Sequence, residues 1–235
     1  MIPKFILGWT FICLGCFAFR AMRFGKPKDW LLTGIRFTIA NEICRFCFRM
    51  MLLLSGCVWV EKKQVKADYS EYLGEEYVYK YDGHGVVVPN HICPLDLITE
   101  LVLNAPINCL IGKREAQSIP FLKWLIDDQW MIMVGRDSKD SREQRHKVLE
   151  MIEARSLEAE KGLKTPCLIF PEGATTNGNY IISFKRGGFY ALRPVQPVVC
   201  KIWNLGPFKP THGDASSLLD WILMLPQALI WTYKR

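Results

Sequence analysis

Two apolar stretches near the N-terminus differ in how charged residues interrupt them. Residues 5–19 contain no charged side chain, and Lys4 and Arg20 bound them. The stretch is shorter than the roughly 18–20 apolar residues that cross a bilayer as a straight helix. A signal peptide has a similar pattern, but a retained short tilted span or re-entrant anchor is favoured, with the basic residues on the cytosolic or matrix side.

The second stretch, residues 30–60, carries polar residues at helical spacing. Its polar stripe consists of Asn41, Glu42, Arg45 and Arg49. The apolar residues that fall largely opposite are Ile39, Ile43, Phe46, Met50, Leu53 and Leu54. This pattern predicts an amphipathic helix that lies in a membrane interface, and a helix packed on a soluble core is the alternative. A last apolar stretch, residues 218–231, is broken by Pro226 and predicts another surface-lying helix.

Between these stretches, short apolar runs alternate with helical patterns. The runs predict buried strands at residues 86–88, 107–111, 131–134, 167–170 and 198–202. The clearest helix covers residues 141–160, where Ser141 begins a capping box and Gly162 supplies the stop. Shorter helices are predicted to begin near Pro94 and Pro120. Strands that alternate with helices imply an α/β sandwich.

The net charge and the cysteine content indicate the class of partner and the redox compartment of the protein. The 235 residues carry a net charge of +7, and half of them are hydrophobic. Basic residues cluster beside the first apolar stretch, which favours an anionic membrane over nucleic acid as a partner. That cluster consists of Arg20, Arg23, Lys26 and Lys28. The nine cysteines indicate a reducing compartment, because nothing in the sequence resembles a small disulfide-framed scaffold.

Two Cys-x-x-Cys pairs raise the question of a metal site. They are Cys13 with Cys16 and Cys44 with Cys47. Both pairs lie in apolar, helix-like stretches, and the gap between them exceeds the usual zinc spacing. Packing of small apolar thiols is therefore favoured over zinc binding, and no metal is assigned.

A candidate base and its carboxylate partner follow the strand predicted at residues 86–88. Residues 90–96 read Asn-His-Ile-Cys-Pro-Leu-Asp. Histidine is well suited to take a proton near neutral pH, and a carboxylate on its other ring nitrogen fixes the tautomer. On one regular helix His91 and Asp96 would point about 140° apart. They meet only if His91 lies in the turn and Asp96 in the first turn of the following helix. Cys93 offers a rival nucleophile, but a packing role is favoured.

A glycine turn follows the strand predicted at residues 167–170. Residues 170–173 read Phe-Pro-Glu-Gly, and glycine lets backbone N–H groups approach a phosphate closely. Thr175 and Thr176 add hydroxyl donors. The carboxylate of Glu172 would repel a phosphate, so it is expected to bind a basic side chain or a substrate hydroxyl.

Three basic residues could supply positive charge to such a phosphate. They are Arg136, Lys185 and Arg186. Arg136 follows the strand predicted at residues 131–134, and ligands collect at strand ends in α/β sheets, which favours a functional role for it. For Arg186 a functional role and a solvated surface charge stay equally open.

Four blocks of this sequence resemble those of the glycerolipid acyltransferases that carry an Asn-His-x-x-x-x-Asp motif, most closely their lysophospholipid acyltransferase branch. The blocks are residues 90–96, residues 134–142, residues 170–173 with 184–185, and residues 194–198. The resemblance covers residues 86–202, about half of the chain. Ala174 stands where the third block usually has threonine, so a hydroxyl contact is either lost or supplied by Thr175. Cys93 stands where serine is common.

The resemblance implies a glycerol-phosphate acyltransferase-like α/β sandwich, with a mixed central sheet flanked by helices and preceded by N-terminal membrane-associated helices. It implies that His91 is the general base and Asp96 its partner. It also implies that Arg136, Glu172 and Gly173 contact the glycerophosphate part of the acceptor. The further implications are acyl-CoA as co-substrate, no metal or other cofactor, and a membrane location. The endoplasmic reticulum is the default membrane, and a mitochondrial membrane stays open.

The predicted reaction is acyl-CoA-dependent esterification of the free hydroxyl of a lysophospholipid or of lysophosphatidic acid. Membrane phospholipids and lysophospholipids are the expected partners, and nucleic acid is not. Two alternatives stay open: a CoA-independent phospholipid transacylase, and a catalytically silent acyltransferase-fold subunit of a membrane complex. Three segments are expected: membrane-anchoring helices over residues 1–60, an acyltransferase α/β domain over residues 61–215, and an apolar, interface-lying segment over residues 216–235.

Overall fold

The structure is a computed structural model that describes residues 2–27, 30–55, 57–65, 68–73, 85–93, 95–104, 106–119, 121–129, 131–135, 142–204 and 232–234. The helices are α1 (Ile2–Met22), α2 (Gly34–Leu54), α3 (Ser70–Leu73), α4 (Asp96–Leu103), α5 (Leu122–Asp128) and α6 (Arg142–Glu160). The strands are β1 (Cys57–Val60), β2 (Val86–Pro89), β3 (Cys109–Lys113), β4 (Ile132–Val134), β5 (Cys167–Leu168), β6 (Val195–Val198), β7 (Ile202–Asn204) and β8 (Thr232–Lys234). Two 3-10 helices cover Arg114–Ser118 and Arg186–Phe189. The apolar segment predicted at residues 218–231 lies outside the described residues.

Five strands form a parallel sheet. Their order is β4-β3-β5-β2-β6, and every neighbouring pair runs in the same direction. The expected mixed sheet is therefore wrong for these strands. Parallel neighbours need crossover connections rather than hairpins, and α4, α5 and α6 provide them along the chain from β2 to β5. A separate three-stranded sheet has the order β1-β8-β7 and pairs β7 with β8 antiparallel.

Helices cover both faces of the five-stranded sheet, as alternate residues of β2 show. Val87 belongs to a buried cluster that includes residues of α1, α2, α4 and α5. Val86 and Val88 belong to another cluster, which includes Ile152 of α6. Because successive strand residues point to opposite faces, the sheet lies between two helical layers. The predicted α/β sandwich is thus confirmed, and the N-terminal helices share its core.

The strand bounds in the structure differ from the predicted ones. β2 ends one residue later than predicted, β4 begins one residue later, and β5 ends two residues earlier. β3 begins at Cys109, two residues later than predicted. The strand predicted at residues 198–202 is wrong, because β6 ends at Val198 and β7 begins only at Ile202. Pro197 has no backbone N–H, and a strand tolerates that loss at the edge of a sheet. β6 is such an edge strand among the described residues.

The helix predicted at residues 141–160 is confirmed as α6. Gly162 follows it with a φ of 69°, and its N–H donates to the carbonyl of Ala159 at 2.9 Å. Glycine adopts this left-handed conformation without steric cost, which is why the helix ends here. Three predicted start residues, Ser141, Pro94 and Pro120, lie outside the described residues.

α1 packs against α2 through small residues and thiols. Cys16, Cys44 and Cys47 are buried there, and a Cβ added at Gly15 would lie 3.3 Å from Cys44 Sγ. Burial raises the pKa of the Cys16 thiol to about 12, so this thiol packs in its neutral form. The part of the chain that the structure describes holds no cluster of three or more His, Cys, Asp or Glu residues suited to a metal ion.

Two residues of the polar stripe of α2, Asn41 and Arg45, bond to the rest of the protein. Asn41 Oδ1 accepts the N–H of Ile107 at 2.8 Å, and Arg45 Nε donates to the carbonyl of Val102 at 3.1 Å. Both backbone groups lie at the ends of other elements, where no regular partner is available. Glu42 of the same stripe is exposed, and so are the apolar residues Ile39, Ile43, Phe46 and Leu53. The side of α2 that packs on the domain is mainly apolar and carries Asn41 among its buried residues.

Two arginines of the basic cluster, Arg20 and Arg23, attach the C-terminal end of α1 to α5. Arg23 Nη1 lies 2.7 Å from Asp128 Oδ1, and Arg20 Nε lies 3.3 Å from Asp128 Oδ2. Burial raises the pKa of Asp128, and the two guanidinium groups oppose that shift. The short span expected over residues 5–19 is not found: no helix in the described ranges combines the length and apolar character needed to cross a bilayer.

Gly85, immediately before β2, generates a stability prediction. A Cβ added there would lie 2.7 Å from Ser156 Cβ and 2.8 Å from the Ser156 carbonyl oxygen on α6. We expect Gly85→Ala to lower the free energy of unfolding by about 1–3 kcal/mol, the usual cost of overpacking. Urea unfolding measures this change. Gly187→Ala is the matched control, because nothing lies within 4 Å of its added Cβ. Equal stabilities of the two variants would contradict the prediction.

Candidate active site

The site lies where three neighbouring parallel strands end. β5, β2 and β6 are adjacent in the sheet, so the residues that follow them meet at one edge. His91 follows β2, Glu172 follows β5, and Cys200 follows β6. Residues that are far apart in the sequence are therefore brought together by the sheet alone.

His91 and Asp96 are in contact, as the strand–turn–helix interpretation requires. His91 Nδ1 lies 3.3 Å from Asp96 Oδ2. The same Oδ2 accepts the N–H groups of Ile92 at 2.6 Å and Cys93 at 2.7 Å. The Asp96 side chain is fully buried at the first residue of α4, so water does not compete for these bonds. A carboxylate at Nδ1 favours the tautomer that carries hydrogen there, which leaves the lone pair on Nε2.

The other side of the His91 ring faces Thr175 and Phe170. Thr175 Oγ1 lies 3.0 Å from His91 Nε2. The Phe170 ring stacks on the imidazole with centroids 4.2 Å apart and an interplanar angle of 25°. The His91 side chain is 20% exposed, so a ligand can reach it. Asp96, His91 and Thr175 thus form a continuous hydrogen-bonded series.

Glu172 bonds to the backbone of His91. Its Oε1 accepts the His91 N–H at 2.9 Å, and the side chain is buried. Its Oε2 is also buried and has no hydrogen-bond partner within the described residues. The sequence predicted a basic side chain or a substrate hydroxyl as the partner of Glu172. The partner that the structure provides is instead a peptide group of the turn that carries the base.

Thr176 holds the same turn from the other side. Its N–H donates to the carbonyl of His91 at 2.8 Å, and its Oγ1 donates to that carbonyl at 3.3 Å. Glu172 and Thr176 therefore bind the two peptide groups that flank the His91 Cα. This double attachment fixes the position of the ring relative to the bend after β5.

The bend depends on Gly173, and Lys185 lies against it. Gly173 has a φ of 67°, and a Cβ added there would lie 2.7 Å from Lys185 Nζ. The Lys185 N–H donates to the carbonyl of Pro171 at 2.8 Å. The structure thus places the Lys185 ammonium at the predicted phosphate turn. Arg136, the other favoured cation, lies outside the described residues, and Arg186 is exposed at the start of its 3-10 helix.

Asn90 joins the ends of β2 and β6. Its Oδ1 accepts the Cys200 N–H at 2.6 Å, and its Nδ2 donates to the Cys200 carbonyl at 3.1 Å. Sequence reasoning gave no role to Asn90, Phe170 or the backbone of Thr176, although a side-chain amide directly after a buried strand is a signal for such a clamp. Cys93 is buried and its Sγ accepts the Leu95 N–H at 3.4 Å, which supports a packing role.

The buried turn leads to a prediction about Asp96. Asp96→Ala leaves the N–H groups of Ile92 and Cys93 without their acceptor, so we expect a loss of about 1–3 kcal/mol in the free energy of unfolding. Asp96→Asn keeps one acceptor oxygen and should lose less. Urea unfolding of both variants measures the difference. An alanine variant as stable as the wild type would show that the carboxylate does not support the turn.

Comparisons with known proteins show which family the chain is similar to. A protein-family model described as Acyltransferase matches residues 69–201, which is more than half of the chain. Lysophospholipid acyltransferase LPEAT1 of Arabidopsis thaliana is 26% identical over 184 residues, covering 72% of this chain and 45% of the relative. Lysophosphatidylcholine acyltransferase of Drosophila melanogaster is 33% identical over 205 residues, covering 86% of this chain and 34% of the relative. The chain spans less than half the length of these curated relatives.

Among solved structures, the crystal structure of the 1-acyl-sn-glycerophosphate acyltransferase PlsC from Thermotoga maritima aligns with a TM-score of 0.46 and 13% identity. The alignment covers 97% of this chain and 93% of that chain. The family match includes all seven residues that the sequence predicted for the site, from His91 to Lys185. This chain therefore belongs to the acyltransferase family.

Proposed function

We propose that this chain is an O-acyltransferase that moves an acyl chain from acyl-CoA to the free hydroxyl of a lysophospholipid or lysophosphatidic acid. The observation that supports the proposal most is the series from Asp96 through His91 to the hydroxyl of Thr175. Asp96 lies at Nδ1 of His91, so the lone pair of the imidazole is on Nε2, where a hydroxyl group lies. The family match and the names of the relatives support the same reaction class.

The proposed step begins when His91 Nε2 takes the proton of the acceptor hydroxyl. The acceptor oxygen attacks the thioester carbonyl carbon, a carbon–oxygen bond forms and the carbon–sulfur bond breaks. Coenzyme A leaves as a thiol after it receives the proton from the imidazolium. Asp96 stabilises the imidazolium while it exists, because its carboxylate lies on Nδ1. Acyl-CoA is a co-substrate in this scheme, and no metal or other cofactor is assigned.

The acceptor phosphate is proposed to bind at the Gly173 bend. Lys185 contributes a positive charge there, and Arg136 is proposed as a second cation on the basis of its place in the sequence. Glu172 is proposed to act through the His91 backbone rather than on the phosphate, because its Oε1 is bonded to the His91 N–H and two anions repel. The resulting orientation of the hydroxyl against His91 is much of what such a site must supply.

Attachment to a membrane is proposed to occur through the outer sides of α1 and α2. On α2, Asn41 and Arg45 bond inward while Ile39, Ile43 and Phe46 are exposed. On α1, Ile6, Leu7, Leu14 and Phe17 are exposed as well. Exposed apolar side chains are unfavourable in water, and their transfer into the acyl region of a lipid monolayer is favourable.

The test of the proposed reaction is His91→Ala with acyl-CoA and a lysophospholipid in detergent micelles. We expect the transfer rate to fall by a factor of about 10² to 10⁴, the usual value of general-base catalysis. His146→Ala is the matched control, because His146 lies exposed on α6. Replacing acyl-CoA by a diacyl phospholipid as sole donor tests the transacylase alternative. Unchanged transfer by His91→Ala would remove the assignment.

The membrane proposal predicts that Phe46→Glu weakens vesicle binding by about tenfold or more, since burial of a phenylalanine side chain contributes roughly 1.5–3 kcal/mol. Phe46 is 60% exposed on α2, and Met151, 53% exposed on α6, provides the control variant Met151→Glu. Co-sedimentation with phosphatidylcholine–phosphatidylglycerol vesicles measures the binding. Equal losses in both variants would indicate a general effect of added negative charge and contradict the proposed face.

A further inference from the structure

The hydroxyl that bonds to the base belongs to the protein itself. Thr175 Oγ1 lies 3.0 Å from His91 Nε2, and Asp96 Oδ2 lies 3.3 Å from Nδ1. Since the carboxylate selects the tautomer with hydrogen on Nδ1, Nε2 accepts and the threonine O–H donates. The lone pair that must take the acceptor's proton is therefore already occupied.

The backbone keeps the Thr175 hydroxyl in this place. Gly173 forms the bend before it, and Thr176, directly after it, is bonded to the His91 carbonyl through both its N–H and its hydroxyl. Branching at Cβ restricts the threonine χ1 angle to few rotamers. The hydroxyl can leave Nε2 only by a change of χ1 rotamer, because the residue cannot move away from the ring without breaking the Thr176 contacts.

This arrangement affects which molecule can use the base. The His91 side chain is 20% exposed, so water reaches the site. A water molecule that lost its proton to Nε2 beside bound acyl-CoA would attack the thioester carbonyl carbon. The carbon–sulfur bond would break, and a fatty acid and coenzyme A would form without any acceptor.

We infer that Thr175 caps His91 and reserves the base for the lipid acceptor, which suppresses hydrolysis of acyl-CoA. The inference rests on the proposed function. Water must compete with a hydroxyl that is held next to Nε2 within the same molecule, and it gains nothing else by displacing it. A lysophospholipid is held by its phosphate and acyl chain as well, so its own hydroxyl has a high effective concentration and can displace the cap.

The first experiment measures two products of one reaction. Palmitoyl-CoA and lysophosphatidylcholine are mixed with each variant, and free palmitate and diacyl product are quantified together. We expect Thr175→Ala to raise the ratio of hydrolysis to transfer by about threefold to tenfold, the factor that one hydrogen bond is worth. Thr175→Ser keeps the hydroxyl and should keep the wild-type ratio. The ratio does not depend on how much of each variant is folded.

Thr176→Ala is the matched control for position. Of the contacts to His91, Thr176→Ala loses only the 3.3 Å hydroxyl contact to the carbonyl and keeps the 2.8 Å N–H bond that holds Thr175 in place. It should therefore leave the ratio at the wild-type value even if both rates fall. An unchanged ratio in Thr175→Ala overturns the inference. So does loss of transfer together with acyl-modified Thr175 in the wild type, because that result would make Thr175 a nucleophile instead of a cap.

The second experiment needs no lipid substrate. Diethyl pyrocarbonate reacts with the free lone pair of imidazole, and mass spectrometry of peptides gives the reaction rate at each histidine. We expect Thr175→Ala, but not Thr175→Ser, to speed modification of His91 relative to exposed His146 by a similar factor. Equal rates at His91 in the wild type and Thr175→Ala overturn the cap. If the wild type transfers no acyl chain, the proposed function fails, and this measurement still decides the role of Thr175.

Discussion

The buried carboxylate of Asp96 is the group on which the whole site depends. A single oxygen, Oδ2, accepts two backbone N–H groups of the turn and also faces His91 Nδ1. The bonds that close the turn before α4 therefore also orient the imidazole ring. The carboxylate is shielded from water, so the orientation is maintained by bonds that solvent cannot replace.

The second requirement is that the bend after β5 reaches this turn. β2 and β5 are adjacent parallel strands, so the segments that follow them leave the sheet at the same edge. Glu172 and Thr176 then bind the peptide groups on either side of the His91 Cα. The backbone of His91 is thus held both by the turn before α4 and by the bend after β5. A change in either one would displace the imidazole.

The sequence predicts some of these contacts and misses others for identifiable reasons. His91 and Asp96 are five residues apart, so a strand–turn–helix pattern is enough to predict their contact. Glu172 bonds to a backbone N–H, and a peptide group carries no signature in the sequence. The contact between Thr175 and His91 depends on which strands are neighbours. Strands that alternate with helices favour a parallel sheet but do not give the order of its strands. β6 was not predicted, because Pro197 argues against a central strand and only the sheet order shows that β6 lies at an edge.

The helix α2 shows a different limit of sequence reasoning. Its periodicity separates polar from apolar residues, but it does not say which of them turn inward. The usual assignment assumes that water lies outside, and in this protein Asn41 and Arg45 bond to the domain while Phe46 is exposed. The exposed apolar residues of α2 and the bond from Thr175 to the base are connected through the proposed function. A lipid acceptor, as proposed, would bring apolar surface to the helix and a firmly held hydroxyl to His91, and water can provide neither.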